Sequence, residues 1–139
     1  MKQILKFKRI ENDKDVNELR YTLSIWLKDL SFLNTELNFM RTLLKFSSFS
    51  NNIPNLFERI QLSLKEIETL EEENSDLIKS IEEHDNKLYN LLKSNELTCG
   101  NIYSKEHENL AEIVFHSKEK YRHFKSNFIE YISSIIQQT

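Results

Sequence analysis

The sequence predicts an all-α fold, an elongated antiparallel three-helix bundle with coiled-coil-like packing, and three features predict it. One Gly and one Pro occur in 139 residues, against roughly 7% Gly in average usage. Tight turns, hairpins and Gly-rich phosphate loops draw on Gly for its conformational freedom, so few turns fit and the helices must be long. Apolar residues recur at helical spacing along three extended stretches. The two links between those stretches, Ser48–Ile53 and Thr98–Tyr103, are about six residues each, and such short links force neighbouring helices antiparallel. The length is that of one domain. The expected layout is a single domain over 1–139, with helices at about 13–47, 54–97 and 104–137 and a tail at 1–11.

In the first helix Val16, Leu19, Leu23, Trp26, Leu30, Leu33, Leu37, Met40 and Leu44 are spaced by alternating threes and fours. That is the a/d seam of a coiled coil over four heptads. Asn12 or Asp13 is the expected N-cap, because a short polar side chain can accept from the free amides of the first turn. The end is expected near Ser47, before the polar stretch Ser48–Asn52.

Pro54 suits a helix start, where its missing N–H would have had no partner. The second stripe is Leu56, Ile60, Ile67, Leu70, Leu77, Ile81, Leu88 and Leu91, interrupted by Ser63, Asn74 and His84. Gly100 is the expected left-handed C-terminal cap. At 1.5 Å per residue this helix reaches roughly 60 Å. Its weak point is the polar run Glu71-Glu-Glu-Asn-Ser-Asp76, read as a waist in one helix; a break near 74–76 would instead give a four-helix bundle. Asn74 is either a buried, register-fixing Asn or an exposed residue of the waist.

The third helix is expected to open with Ser104 as N-cap, followed by Glu106 and Glu108, whose charges suit the positive end of the helix dipole. Its seam is Leu110, Val114, Tyr121, Phe124, Phe128, Tyr131 and Ile135. Trp26, Leu30, Leu33, Leu70, Leu77, Val114, Tyr121 and Phe124 are the expected central core. The pattern does not decide the conformation of residues 1–11.

The first helix carries a second stripe. Ile25, Phe32, Phe39 and Phe46 recur every seven residues at position c. With the a/d seam they widen the apolar face to about 160°, against roughly 100° for an ordinary surface helix. These four residues are the interface candidates, for a second copy in a homodimer or for a foreign amphipathic helix. The competing reading is that the third helix sits off-centre and covers them. Asp29 and Glu36 fall at g, between the two stripes.

The run Trp26-Leu-Lys-Asp-Leu-Ser-Phe32 followed by Glu36-Leu-Asn-Phe39 resembles a family of small uncharacterised three-helix proteins of Bacteroidota. Those continue with a long acidic middle helix and an aromatic last helix. The resemblance implies a helical fold and a bacterial origin, with no activity attached, and the fourteen Asn suit an AT-rich genome of that kind. More faintly, Asp15-Val-Asn-Glu-Leu19 leading to Trp26-Leu27 resembles the first helix of a spectrin-type repeat.

No catalytic constellation, cofactor motif or closed metal site emerges. Glu112, His116, Glu119 and His123 are spaced 4, 3 and 4 along one helical face, as i,i+4 ligands of a divalent ion can be. They occupy positions c and f, opposite the seam, and read as a solvated face. Asp29 and Glu36 offer paired carboxylates, but are expected to form salt bridges to Lys118, Lys120 or Lys125. His84 and His107 fall on seams and read as hydrogen-bonded boundary residues, with a ligand or pH-switch role as the alternative. Cys99 reads as an incidental loop thiol. Ser117–Ser126 mixes bases with aromatics, as nucleic-acid sites do, yet Tyr121 and Phe124 belong to the seam.

Charge narrows the partners. The net charge is −3. Residues 1–14 hold five Lys/Arg against two acids, a local +3, and residues 58–96 hold five bases against eleven acids, a local −6. An acidic middle helix argues against nucleic acid on that face. The opening ten residues contain no apolar h-region and the chain no 18-residue apolar run, so neither a signal peptide nor a transmembrane segment is expected. With a lone Cys this favours a cytoplasmic setting. The expectation is therefore a non-enzymatic helical interaction or scaffold module. The alternative is an accessory protein that binds nucleic acid or a membrane surface through the basic N-terminus.

Overall fold

Three long helices account for nearly all of what the computed structural model describes, residues 15–46, 54–94 and 100–138. They are α1 (Val16–Phe46), α2 (Leu56–Lys93) and α3 (Asn101–Gln138). The chain runs up, down and up, so α2 is antiparallel to both others while α1 and α3 are parallel. α1 and α2 pack most closely, α3 approaches α2 less, and α1 and α3 meet least.

The seams bury as their spacing requires. Leu23, Leu30 and Leu37 of α1, Ile67, Ile81 and Leu88 of α2, and Ile135 of α3 are almost wholly enclosed. On α3 the buried set drifts from d to e, with Ala111 and Ile132 buried and Tyr131 only half-buried. A straight helix turns about 20° per heptad away from a strict 3.5 repeat, and the guanidinium of Arg59 lies over the displaced Tyr131 ring, 4.2 Å from its centroid. Trp26, expected in the core, is half-buried against its edge.

α2 is continuous through the polar run, so the four-helix alternative does not form. Asn74 is buried there, and its Nδ2 donates to the Leu30 carbonyl oxygen at 3.1 Å. Glu71 pairs with Arg41 of α1, and Glu73 with Lys120 of α3 at 2.9 Å. The waist holds because its middle residue faces the core while its acids find cations on both neighbours.

The helix ends differ from expectation in ways the local chemistry explains. Asp15 caps α1, its Oδ1 accepting from the Asn17 N–H at 2.8 Å; the expected caps Asn12 and Asp13, and the tail at 1–11, lie outside the described residues. Pro54 is not the first helical residue. It precedes Asn55, which takes the left-handed conformation (φ 57°) that Asn tolerates, and α2 opens at Leu56. α2 ends at Lys93, where the Ser94 N–H reaches the Asn90 and Leu91 carbonyls. Gly100 is therefore not its left-handed cap. It has no positive φ, and its carbonyl accepts from the Ser104 N–H at 3.1 Å, opening α3. Ser104 consequently sits buried in the first turn instead of capping it.

Candidate functional site

Because α1 and α3 are parallel, their heptads run in step. Position g of α1 faces position e of α3, and this places acids opposite bases. The Lys118 Nζ meets Asp29 Oδ2 at 2.7 Å, and one heptad further Lys125 Nζ meets Glu36 Oε1 at 3.0 Å. Lys120, the third cation expected to serve these acids, turns instead to Glu73 of α2. Glu36 also accepts from the Tyr121 hydroxyl at 2.5 Å. Burial pushes the Glu36 carboxyl up, but the hydrogen bonds from Tyr121 and Lys125 outweigh it and hold the group below its usual range. Burial, and then the bond to Glu36, push the Tyr121 phenol the other way, above its usual range.

These ion pairs are ties across an open groove. Above and around them lies a hollow of about 830 Å³ whose apolar lining includes Trp26, Phe32, Leu33, Ala111, Val114 and Phe115. Beyond the Glu36–Lys125 tie a smaller hollow of about 230 Å³ is lined by Phe39, Met40, Leu43, Phe128, Ile129 and Ile132. Apolar residues flank the groove on both sides. On α1 they are Ile25, Phe32 and Phe39, with Phe32 63% and Phe39 64% exposed. Phe46, the fourth of that stripe, closes α1, and its side chain lies outside the described residues. On α3 the flank is Phe115, Ile129 and Ile136, all at position b, with Arg122 interrupting it.

The α3 flank is missing from the stripe found on α1 alone. Its signal was present in the sequence as Phe115, Ile129 and Ile136 spaced by 14 and 7, obscured by Arg122 in the missing heptad. Other apolar residues, such as Tyr21, Ile102 and Phe57, are also exposed.

The second notable cluster lies in the core. His84 and His107 are buried, not boundary residues, with ring centroids 5.5 Å apart, and His107 stacks on Trp26 at 5.0 Å. Neither nitrogen of His84 nor Nδ1 of His107 has a hydrogen-bond partner. Burial lowers both imidazoles, with His107 brought down to about 4. Glu106 Oε2 lies 3.5 Å from His84 Nδ1, and Lys87 shares that carboxylate at 3.2 Å.

Of the remaining candidates, Glu112, His116 and His123 are exposed, and Glu119 is paired with Arg122. Among the described residues no group of three His, Cys, Asp or Glu side chains is placed to hold a metal ion. Tyr121 and Phe124 are buried and closed to base stacking. Cys99 lies outside the described residues. Among those residues no helix is long and apolar enough to cross a membrane. No protein-family model matches the chain, and neither curated proteins nor solved structures yield a match.

Proposed function

We propose that the chain is a non-enzymatic helical interaction module of a bacterial cytoplasm, and that the α1/α3 face is its docking surface. One observation carries this reading: two apolar flanks, contributed by different helices, run beside the same groove. Scattered exposed apolar side chains are ordinary on any protein, whereas exposed apolar side chains aligned on two helices beside one groove mark a candidate interface. Asp29, Glu36, Lys118 and Lys125 are engaged with one another across the groove, which suits them to holding α1 and α3 in place. The imidazoles of His84 and His107 are buried in the core, and neither lines the two hollows of the groove.

The test is capture by the intact chain as bait in an extract of its native cell, run beside the F32E/F39E variant. A protein retained by the first and lost from the second, with helical content unchanged, supports the reading. Equal retention by both would sink it. Binding to a heparin column would favour the nucleic-acid or membrane-surface alternative, which acts through residues 1–14.

A further inference from the structure

The α1/α3 face is complementary to itself, and we infer that its occupant is a second copy of this chain, docked face to face about a two-fold axis. The inference rests on the reading of that face as a docking surface and names the partner.

Spacing is the first argument. Phe32 stands at the rim of the larger hollow and Phe39 at the rim of the smaller, with the Glu36–Lys125 tie between them. The two rings are seven residues apart, about 10 Å along the axis, and the two hollows follow the same heptad. A copy turned over by a two-fold axis across the helices presents two rings at the separation of the two hollows. Each protomer thus supplies both the knobs and the holes, which is what an isologous contact requires.

Area is the second argument. Ile25, Phe32, Phe39, Ile129 and Ile136 are all exposed. With up to about 200 Å² for a whole Phe side chain, this face leaves on the order of 500 Å² of apolar surface in water, near the largest patch a monomer ordinarily carries. The aliphatic stems of Lys28, Lys118 and Arg122 border it and raise the available area toward the roughly 800 Å² per partner of a standard interface.

Charge separates a second copy from a lone helix. A helix laid into the groove would press its apolar stripe onto Asp29, Lys118, Glu36 and Lys125. The side chains of Asp29 and Lys118 are still 39% and 44% exposed, and stripping that water from a formed pair is costly. Face-to-face packing seats a Phe ring against the apolar lining of each hollow, on either side of the Glu36–Lys125 tie. It leaves the charged ends of the ties facing water between the rings, as interfaces commonly do. The four charges are already paired within each copy.

The experiment is sedimentation of the full chain, 16.7 kDa as a monomer, from about 1 to 200 µM. The wild type is expected at twice that mass in the upper part of the range. F32E/F39E is expected as a helical monomer, with association weakened about 30-fold or more for each central Phe. The α3 pair I129E/I136E should act alike, and F57E, on α2, should leave the dimer intact. If F32E/F39E loses helicity, the α3 pair decides. A wild type that stays monomeric at about 200 µM, or a dimer indifferent to both pairs, overturns the inference. A monomeric wild type that still captures a foreign protein through Phe32 and Phe39 overturns the dimer and leaves the docking reading standing. Capture and dimer both indifferent to the two pairs remove both.

Discussion

α1 faces α2 on one side and α3 on the other, and the two contacts are built on different principles. Against α2 it closes a dry seam of Leu and Ile, with one buried amide, Asn74, bonded to the Leu30 backbone. The charged partners of that seam, Arg20 with Asp85 and Arg41 with Glu71, sit at its margins. Against α3 the ion pairs lie in the middle and the apolar side chains flank them, still in water. Burial in a continuous seam stabilises in proportion to area, while exposed ion pairs add little and serve mainly to fix orientation. The first contact makes the fold; the second sets two helices at a distance and leaves a face open.

If that contrast is right, the largest loss should come from the seam. Leu30→Ala or Leu37→Ala should cost about 2–5 kcal/mol in chemical denaturation, since both side chains are fully enclosed and a cavity remains behind. A cost below about 1 kcal/mol would mean the seam does not carry the fold.

Acid should open the core next. His107 titrates near 4 when folded, and burial lowers His84 too. The groups that face this pair are Glu106 from α3, and Asp85 and Lys87 from α2; from α1, Trp26 stacks on it and Arg20 holds Asp85. Above about pH 6.5 an unfolded imidazole is neutral as well, so the stabilisation is whole there. As pH falls the unfolded chain takes up protons the folded core refuses, and stability declines until the folded groups titrate. The loss between about pH 6.5 and 4 should be on the order of 3 kcal/mol from His107 alone. Thermal denaturation of H107F compared with wild type at pH 7.5 and 4.5 checks it, because the variant should lose much less.

Asn74→Ala should remove one buried hydrogen bond and leave a small void, costing about 1–2 kcal/mol in the same denaturation. The smallest effect belongs to the open side. Asp29→Asn should change stability by about 0–1 kcal/mol and less still at high salt. A loss of several kcal/mol there would show that the α1/α3 ties are core elements and erase the contrast.

The same contrast explains what could be read in advance. Helix number, order and most seam residues follow from period, because a 3,4 spacing favours one buried face; Trp26 and Tyr131, half-buried at its edge, are departures. The unbroken α2 is the expected form, but the place of Asn74 did not follow, since a polar run gives the same signal whether its central Asn faces the core or the solvent. Helix ends shift for local reasons: Pro54 precedes the left-handed Asn55 and does not itself start α2, and the Gly100 carbonyl opens the next helix instead of ending the last. The stripe Ile25, Phe32, Phe39 stood out because it repeats perfectly, while the α3 flank was masked by one Arg. The burial of His84 and His107 does not follow from the sequence, because a single polar residue on a seam is usually at its edge. Here they are two, on adjacent helices, and each ring shields the other.

The loose approach of α3 to α1 has a consequence for how the molecule breathes. α1 carries an acid, Glu18, in its first turn and a base, Lys45, in its last, whereas α3 has neither, so its dipole ends are less well compensated. A helix held chiefly by one neighbour, with uncompensated ends, is the element whose amide protons should exchange through partial opening while the α1/α2 hairpin exchanges only on global unfolding. The unit that comes away first is then also the one that completes the exposed face. Surface exposure and local opening would thus rise and fall together, and whatever covers the α1/α3 groove would slow hydrogen exchange along the whole of α3.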